Sequence, residues 1–171
     1  GVGSLGLYTY ISVVLERVQV DTIGGMWIWG IGGAVGAFGI GRVLDKVDSS
    51  RKLTTIIIIL LTTDFALLLL FPSSRMLAMV CLFAWGLLGW SSMAPQQHSM
   101  LSANPDEGAT AVAANASANY LGSAVGSAVG GLFLPSSTGI LLGALFAVLV
   151  GGVCSIGARA LSFPRLGDNE N

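Results

Sequence analysis

One carboxylate, Asp64, lies deep inside an apolar stretch and is the residue best placed to do chemistry in this chain. The stretch spans residues 53–71, and Asp64 is about 11 residues into it, or about 16 Å along a helix. Ionisable side chains near the centre of a membrane are rare and usually functional, as proton carriers or as partners of cations. Two alternatives stay open: a protonated carboxyl group without a function, or a position near the outer surface on a tilted helix.

Four polar side chains on two other apolar stretches could contact a solute. Tyr8 and Ser12 are four residues apart, so they would share one face of a helix. Asn115 and Asn119 have the same spacing. Amide groups in hydrocarbon need partners or water, so they must face the protein interior or a cavity. Hydrogen bonding between helices explains the two asparagines as well as contact with a solute does.

The sequence offers no constellation for enzyme chemistry or metal binding. His98 is the single histidine, and Cys81 and Cys154 are far apart, so no metal-ligand spacing is present. A phosphate-binding Gly-Lys-Ser/Thr motif and a nucleophile–base pair are also absent. We therefore expect no metal, no cofactor and no enzymatic activity. The net charge of -1 gives no electrostatic case for a nucleic-acid partner.

The elements that position these residues are predicted to be membrane spans. Hydrophobic residues make up 53% of the 171 residues and charged residues only 10%, whereas soluble domains carry roughly a quarter charged residues. Loop 41–52, between two apolar runs, contains four of the eight basic residues: Arg42, Lys46, Arg51 and Lys52. Because loops rich in Lys and Arg remain in the cytoplasm, we expect this loop on the cytoplasmic side.

Six apolar runs fit the length of about 20 residues that a span requires. Their approximate bounds are 1–15 (truncated at its start), 23–44, 53–71, 76–101 (interrupted by Pro95), 109–134 and 139–160. With loop 41–52 inside, the C-terminus is also cytoplasmic, and that side holds six basic residues against Arg17 and Arg75 on the other. Near the start of the second span, Trp27 and Trp29 suit the aromatic belt at the membrane interface.

Gly122, Gly126 and Gly130 recur every four residues on the fifth span. Residues with this spacing share a helix face, so the three glycines form a stripe without side chains. Such a stripe lets another helix approach closely, and we predict that it packs against a neighbouring helix.

The loop Gly41-x-x-x-Asp45-Lys46…Arg51-Lys52 resembles motif A of the major facilitator superfamily. In that family the motif reads Gly-x-x-x-Asp-Arg-x-Gly-Arg-Arg/Lys and joins the second and third helices of each half. Here Lys46 replaces Arg, Asp48 stands where Gly is expected, and two serines displace the basic pair. Segment 119–131 resembles the glycine-rich fifth-helix motif of drug:proton antiporters without its proline, and segment 6–11 resembles the opening helix of a half.

The resemblance implies an all-α integral membrane protein, namely six transmembrane helices that form the C-terminal half of a twelve-helix major facilitator fold. This half, residues 1–162, would consist of two inverted three-helix repeats, followed by a polar cytoplasmic tail at 163–171. The chain lacks an initiator Met and begins in what resembles a helix interior, so we expect it to be truncated at its N-terminal end.

The function implied is secondary active transport in the cell membrane, in the drug:proton antiporter-1-like (drug/sugar efflux) branch. The expected partners are the lipid bilayer, the missing N-terminal half, a small-molecule substrate and protons. Asp45 would serve as a cytoplasmic latch, capping a neighbouring helix or pairing with an Arg. A nutrient uniporter or symporter on the same scaffold and a non-transporting half-size membrane subunit are the alternatives.

Overall fold

The computed structural model describes residues 3–47, 49–103, 106–134 and 136–160. All regular secondary structure in these ranges is helical, which confirms the predicted all-α class. The helices are α1 (Ser4–Tyr8), α2 (Ile11–Arg17), α3 (Thr22–Leu44), α4 (Ser50–Leu70), α5 (Arg75–Ser91), α6 (Met93–Ala103), α7 (Gly108–Gly131) and α8 (Ser137–Ala160). Asp48 of the motif-like loop and the predicted tail at 163–171 lie outside the described residues.

Within these ranges, four helical stretches are long and apolar enough to cross a membrane. They are Thr22–Leu44, Ser50–Leu70, Arg75–Ser102 and Ser137–Cys154. The third stretch combines α5 and α6. Helix α7 has 24 residues, enough to span a bilayer, but it is composed largely of Gly, Ala, Ser and Asn and is less apolar than the four. The chain is therefore a multi-pass membrane protein, and the count of six spans stays a prediction.

The first predicted span is broken at Thr9 and Tyr10, contrary to the expectation of one continuous helix. The Tyr10 amide donates to the Leu7 carbonyl three residues back (2.9 Å), so the helix tightens and then restarts. Both side chains at the break are bonded to Ser127 of α7. Tyr8 ends α1 and Ser12 belongs to α2, so these two predicted solute contacts lie on different helices.

The fourth predicted span is interrupted at Ser92, three residues before the proline that the sequence marks as the break. Pro95 has no amide to donate to the Ser91 carbonyl, and its ring collides with that carbonyl. The helix therefore ends one turn ahead of Pro95. The Ser92 hydroxyl bonds the Gly89 carbonyl (2.7 Å) at this point.

Helices α3 and α5 are packed backbone to backbone through glycines. A Cβ atom built on Gly32 would collide with the Phe83 carbonyl oxygen, and one built on Gly86 would collide with the Trp29 carbonyl oxygen. Any side chain at these positions would separate the helices, so the glycines there are required by contact. In a membrane, such close approach replaces the hydrophobic driving force that water supplies to soluble proteins.

Arg17 connects three helices at the end of α2. Its Nη2 donates to the Leu69 carbonyl near the end of α4 (3.2 Å), and its Nη1 donates to the Thr138 hydroxyl in the first turn of α8. The sequence alone identifies Arg17 only as a charge for topology. The structure shows that it satisfies a C-terminal carbonyl of α4 that has no partner within its own helix.

Candidate functional site

Trp29 of α3 lies at the centre of an aromatic cluster. It stacks on Tyr8 of α1 (ring centroids 4.3 Å apart, planes at 28°) and meets Trp85 and Trp90 of α5 edge to face (6.0 and 6.4 Å). This face of α3 therefore turns toward α1 and α5, and the position of Trp29 in the interfacial belt stays a prediction. Trp27, two residues earlier on the opposite face, is 69% exposed and faces outward.

A small cavity of about 60 Å³ opens beside this cluster. Trp29 and Trp90 form its aromatic walls, Ser4 and Asn119 contribute polar side chains, and Gly89 leaves room for its floor. Helices α1, α3, α5 and α7 all contribute to the lining. Met93 of α6 lines the cavity as well, so five helices converge on one partly polar cavity within apolar surroundings. The cavity is far smaller than a typical small-molecule pocket, and it is a candidate only for contact with one part of a solute.

Two of the residues predicted to contact a solute belong to this site. Asn119 lines the cavity, and Tyr8 stacks on the Trp29 wall. Ser12 is exposed on α2, and Asn115 is half-buried one turn before Asn119. Sequence reasoning missed Ser4 and Trp29, since a serine and an interfacial tryptophan carry no distinctive spacing.

The two indole N–H groups near the cavity differ in their hydrogen bonding. Trp85 is fully buried, and its Nε1 donates to the Ser4 hydroxyl (2.9 Å), which fixes α1 against α5. Trp29 Nε1 is buried as well, but it has no hydrogen-bond partner within the described part of the chain. A buried donor without an acceptor is unfavourable by about 1–3 kcal/mol.

Asp64 is 5% exposed and lies beside the Cys81 thiol of α5. Its Oδ2 has no partner among the described residues. Helix α4 runs from Ser50 to Leu70, so Asp64 lies six residues before its end, or about 9 Å along the axis. Its depth near the centre of the membrane stays a prediction.

Packed aromatic rings connect Asp64 to the cavity, although Asp64 does not line it. The ring of the next residue, Phe65, meets Trp85 edge to face at 5.7 Å. Trp85 in turn contacts Trp29 and bonds Ser4, both of which line the cavity. A displacement of α4 at Asp64 would therefore be passed to the cavity wall through rings that are already in contact.

The glycine stripe of α7 lies against the break between α1 and α2. A Cβ atom on Gly6 would be 2.8 Å from the Gly126 Cα, and one on Gly130 would meet the Tyr10 ring. Ser127, between them, bonds the Thr9 hydroxyl (2.7 Å) and accepts from the Tyr10 hydroxyl through its carbonyl. Gly122, one turn before Gly126, is half-buried.

A larger cavity of about 490 Å³ lies between α1, α7 and α8. Its lining is almost wholly apolar, and Tyr10 supplies the one hydroxyl group there, which already donates to Ser127. This cavity can hold an apolar chain, but it offers few polar groups that could select one ligand over another. The smaller cavity is therefore the better candidate for specific recognition.

The five residues of the motif-like loop are all exposed: Gly41, Asp45, Lys46, Arg51 and Lys52. Asp45 is the C-cap residue of α3. Ser49 caps the N-terminus of α4, since its Oγ accepts a hydrogen bond from the Lys52 amide (3.4 Å). The Nδ1 atom of His98 in α6 forms a hydrogen bond with the hydroxyl group of Ser50, the first residue of α4 (2.9 Å).

Comparison with known proteins identifies the family of this architecture. A family model described as Major Facilitator Superfamily matches residues 1–127, which is most of the chain. No solved structure matches the chain. The members of this family are transporters of small solutes rather than enzymes. The helical, multi-pass architecture of this chain and the extent of the family-model match show that the chain belongs to the Major Facilitator Superfamily.

Proposed function

We propose that this chain is the C-terminal six-helix half of a proton-coupled transporter that exports drugs or metabolites by alternating access. The motif-like loop between α3 and α4 and the glycine-rich α7 support this branch of the superfamily. The cavity beside Trp29 would then form one wall of the substrate site between the two halves. Rocking of the halves would expose it to each side of the membrane in turn.

The observation that carries proton coupling is the burial of Asp64 with one carboxyl oxygen unpartnered. A fixed charge in this position would be costly, because the thiol of Cys81 offers only a weak hydrogen bond and the described surroundings include no cation. Uptake of a proton neutralises the carboxyl group and removes that cost. The proton state of Asp64 therefore changes the free energy of packing α4 on α5, and Phe65 and Trp85 convey the change to the cavity.

Asp45 is the residue that would form the cytoplasmic latch, with loop 41–52 on the cytoplasmic side. Its carboxylate lies at the C-terminal end of α3, which carries the negative end of the helix dipole. A negative charge there is unfavourable by about 0.3–1 kcal/mol. A cation or a helix N-terminus elsewhere in the complete protein would reverse that penalty, and a contact that forms in only one state of the transport cycle would act as a latch.

Transport by the complete protein in proteoliposomes tests proton coupling, with ethidium as the transported probe. We expect an imposed proton gradient to drive ethidium accumulation, and Asp64→Asn to abolish that accumulation while ethidium exchange without a gradient continues. Thr63→Val is the matched control, since Thr63 is exposed on the same helix and its hydroxyl bonds only the Ile59 carbonyl (3.0 Å). It should transport like the wild type.

Three outcomes would contradict the proposal. Ethidium that only equilibrates across the membrane in the wild type, with or without the proton gradient, would indicate a uniporter. Accumulation that persists in Asp64→Asn would remove Asp64 from the coupling mechanism. A stable dimer of this chain alone that carries no solute would indicate a half-size membrane subunit.

A further inference from the structure

The apolar cavity of about 490 Å³ extends as a groove along α8. Its lining residues on this helix run from Ile140 to Gly151, a distance of about 16 Å along the helix axis. The hydrocarbon core of a bilayer is about 30 Å thick, so each leaflet contributes about 15 Å. The groove is therefore about as long as one leaflet is deep.

Small residues keep this groove open. Gly126 and Gly130 line it from α7, and Gly143 and Ala147 line it from α8. A Cβ atom built on Gly143 would lie 3.7 Å from the ring of Phe133, another lining residue, which is an ordinary contact. A larger side chain at Gly143 would therefore occupy the groove without colliding with backbone.

The dimensions and the chemistry of the groove restrict what can fill it. A helix 16 Å long and 10–12 Å across has a volume of about 1,300–1,800 Å³, roughly three times the space available. Among the described lining residues Tyr10 has the one hydroxyl group, and it already donates to the Ser127 carbonyl. A polar solute would lose its hydration there without replacement. An extended hydrocarbon chain fits both the width and the lining.

A positive charge without a counter-charge lies at one end of the groove. Arg17 is half-buried, and its Nη1 donates to Thr138, two residues before Ile140 of the lining. Both hydrogen bonds of Arg17 go to uncharged oxygens, and no carboxylate pairs with it in the described part of the chain, the exposed Glu16 included. Each terminal nitrogen of a guanidinium carries two N–H groups, so Nη1 keeps a second donor for an anion.

We propose that the groove binds one acyl chain of a phospholipid, and that the phosphate of the same lipid lies against Arg17. The lipid belongs to the leaflet on the Arg17 side, which is predicted to face away from the cytoplasm. Its chain runs from the Ile140 end of the groove toward Gly151 and packs between α7 and α8. One amphiphile thus accounts for both the apolar groove and the unpaired charge at its end. This site is separate from the transport proposal and does not depend on proton coupling by Asp64.

Photolabelling of the complete protein in phosphatidylcholine nanodiscs tests the proposal. The probe is phosphatidylglycerol with a diazirine near the end of one acyl chain, which forms a carbene on irradiation and inserts into nearby bonds. Mass spectrometry compares the label on residues 146–151 of the groove with the label on residues 56–60 of α4, where Ile59 is 58% exposed. We expect the groove segment to carry more label than the exposed segment of α4.

Two substitutions on α8 test whether the groove itself holds the chain. Gly143→Leu fills part of the groove and should remove most of the label from residues 146–151, while the label on α4 stays the same. Val153→Leu is the matched control, because Val153 is 69% exposed and lies outside the lining. It should be labelled like the wild type.

Competition by unlabelled lipids tests the contact with Arg17. In the wild type we expect phosphatidylglycerol to compete about fivefold better than diacylglycerol with the same chains, the upper range for an exposed ion pair. Arg17→Gln removes the charge, so the ratio should fall close to one, whereas Arg17→Lys keeps the charge and should retain the preference. If Arg17→Gln does not fold, the ratio in the wild type and the label in Gly143→Leu still decide the question.

Four results would overturn the proposal. Equal labelling of the groove and of α4 would mean that the groove holds no particular chain. An unlabelled groove would mean that another part of the complete protein covers it. Label that survives Gly143→Leu, or equal competition by the two lipids in the wild type, would contradict the chain site and the phosphate contact. None of these measurements uses a proton gradient, so they stand apart from the test of transport.

Discussion

The Trp85 indole donates to the Ser4 hydroxyl across 81 residues of sequence, at 2.9 Å. This bond fastens the short helix α1 to α5, and it places Ser4 at the edge of the cavity. Trp85 is fully buried, so loss of the hydroxyl leaves its indole N–H without this acceptor. The geometry of the candidate site therefore depends on this pair.

Removing either partner of this pair should destabilise the protein. Ser4→Ala leaves a buried N–H unpaired, and we expect a loss of about 1–3 kcal/mol in the free energy of unfolding. Trp85→Phe should cost more, because it also empties part of the core. A double-mutant cycle in denaturant should give a coupling of at least about 0.5 kcal/mol. Strict additivity of the two changes would contradict a direct bond.

Two glycine-to-alanine variants, one at the contact between α3 and α5 and one away from it, test the close packing of these helices. Gly86→Ala should destabilise the protein by about 1–3 kcal/mol, because its methyl group must displace the Trp29 carbonyl. Gly39→Ala has nothing within 4 Å of its new methyl group, so it should be neutral or stabilising by up to about 1 kcal/mol through helix propensity. Unfolding in mixed detergent measures both. Equal effects at the two positions would refute the close packing.

Arg17 provides a test of the contacts between α2, α4 and α8. Arg17→Ala removes two donors and leaves the Leu69 carbonyl without this partner, so we expect a loss of about 1–3 kcal/mol. Arg75→Ala is the control, since Arg75 is exposed and predicted to lie on the same side of the membrane. Both variants lose one positive charge there. A similar loss in both would mean that charge, rather than the contacts of Arg17, sets the stability.

A substitution of Asp45 can distinguish a role in the cytoplasmic latch from a role in stabilising the fold. Asp45→Asn removes a negative charge from the C-terminal end of α3, so the free energy of unfolding of this half should stay the same or rise by about 0.3–1 kcal/mol. Ethidium transport by the complete protein should nevertheless fall, because the latch has lost its charge. The exposed Asp106 supplies the control variant, Asp106→Asn, which should transport normally. Loss of stability in Asp45→Asn would indicate that Asp45 is needed for folding.

The helical class and the membrane character were predictable from composition and run length. Apolar runs of about 20 residues with few charges admit only spans whose backbone groups are satisfied internally, and α3, α4 and α8 follow those runs closely. The break at Thr9 was not predictable in this way. The Thr9 hydroxyl there bonds to Ser127, a residue 118 positions away, and no local pattern carries that information.

The candidate site was likewise predictable only in part. The spacing of residues nominated Tyr8 and Asn119, because polar groups in an apolar run must face the interior. It did not nominate Trp29, because a tryptophan near the end of a span is equally at home at the interface, and the glycine contact between α3 and α5 turns this indole toward α5. Sequence by itself determined which segments enter the membrane, since transfer from water depends on composition. Tertiary packing alone decided which side chains meet around the cavity and which donor is left unpaired, since close packing depends on the shapes of helices distant in sequence.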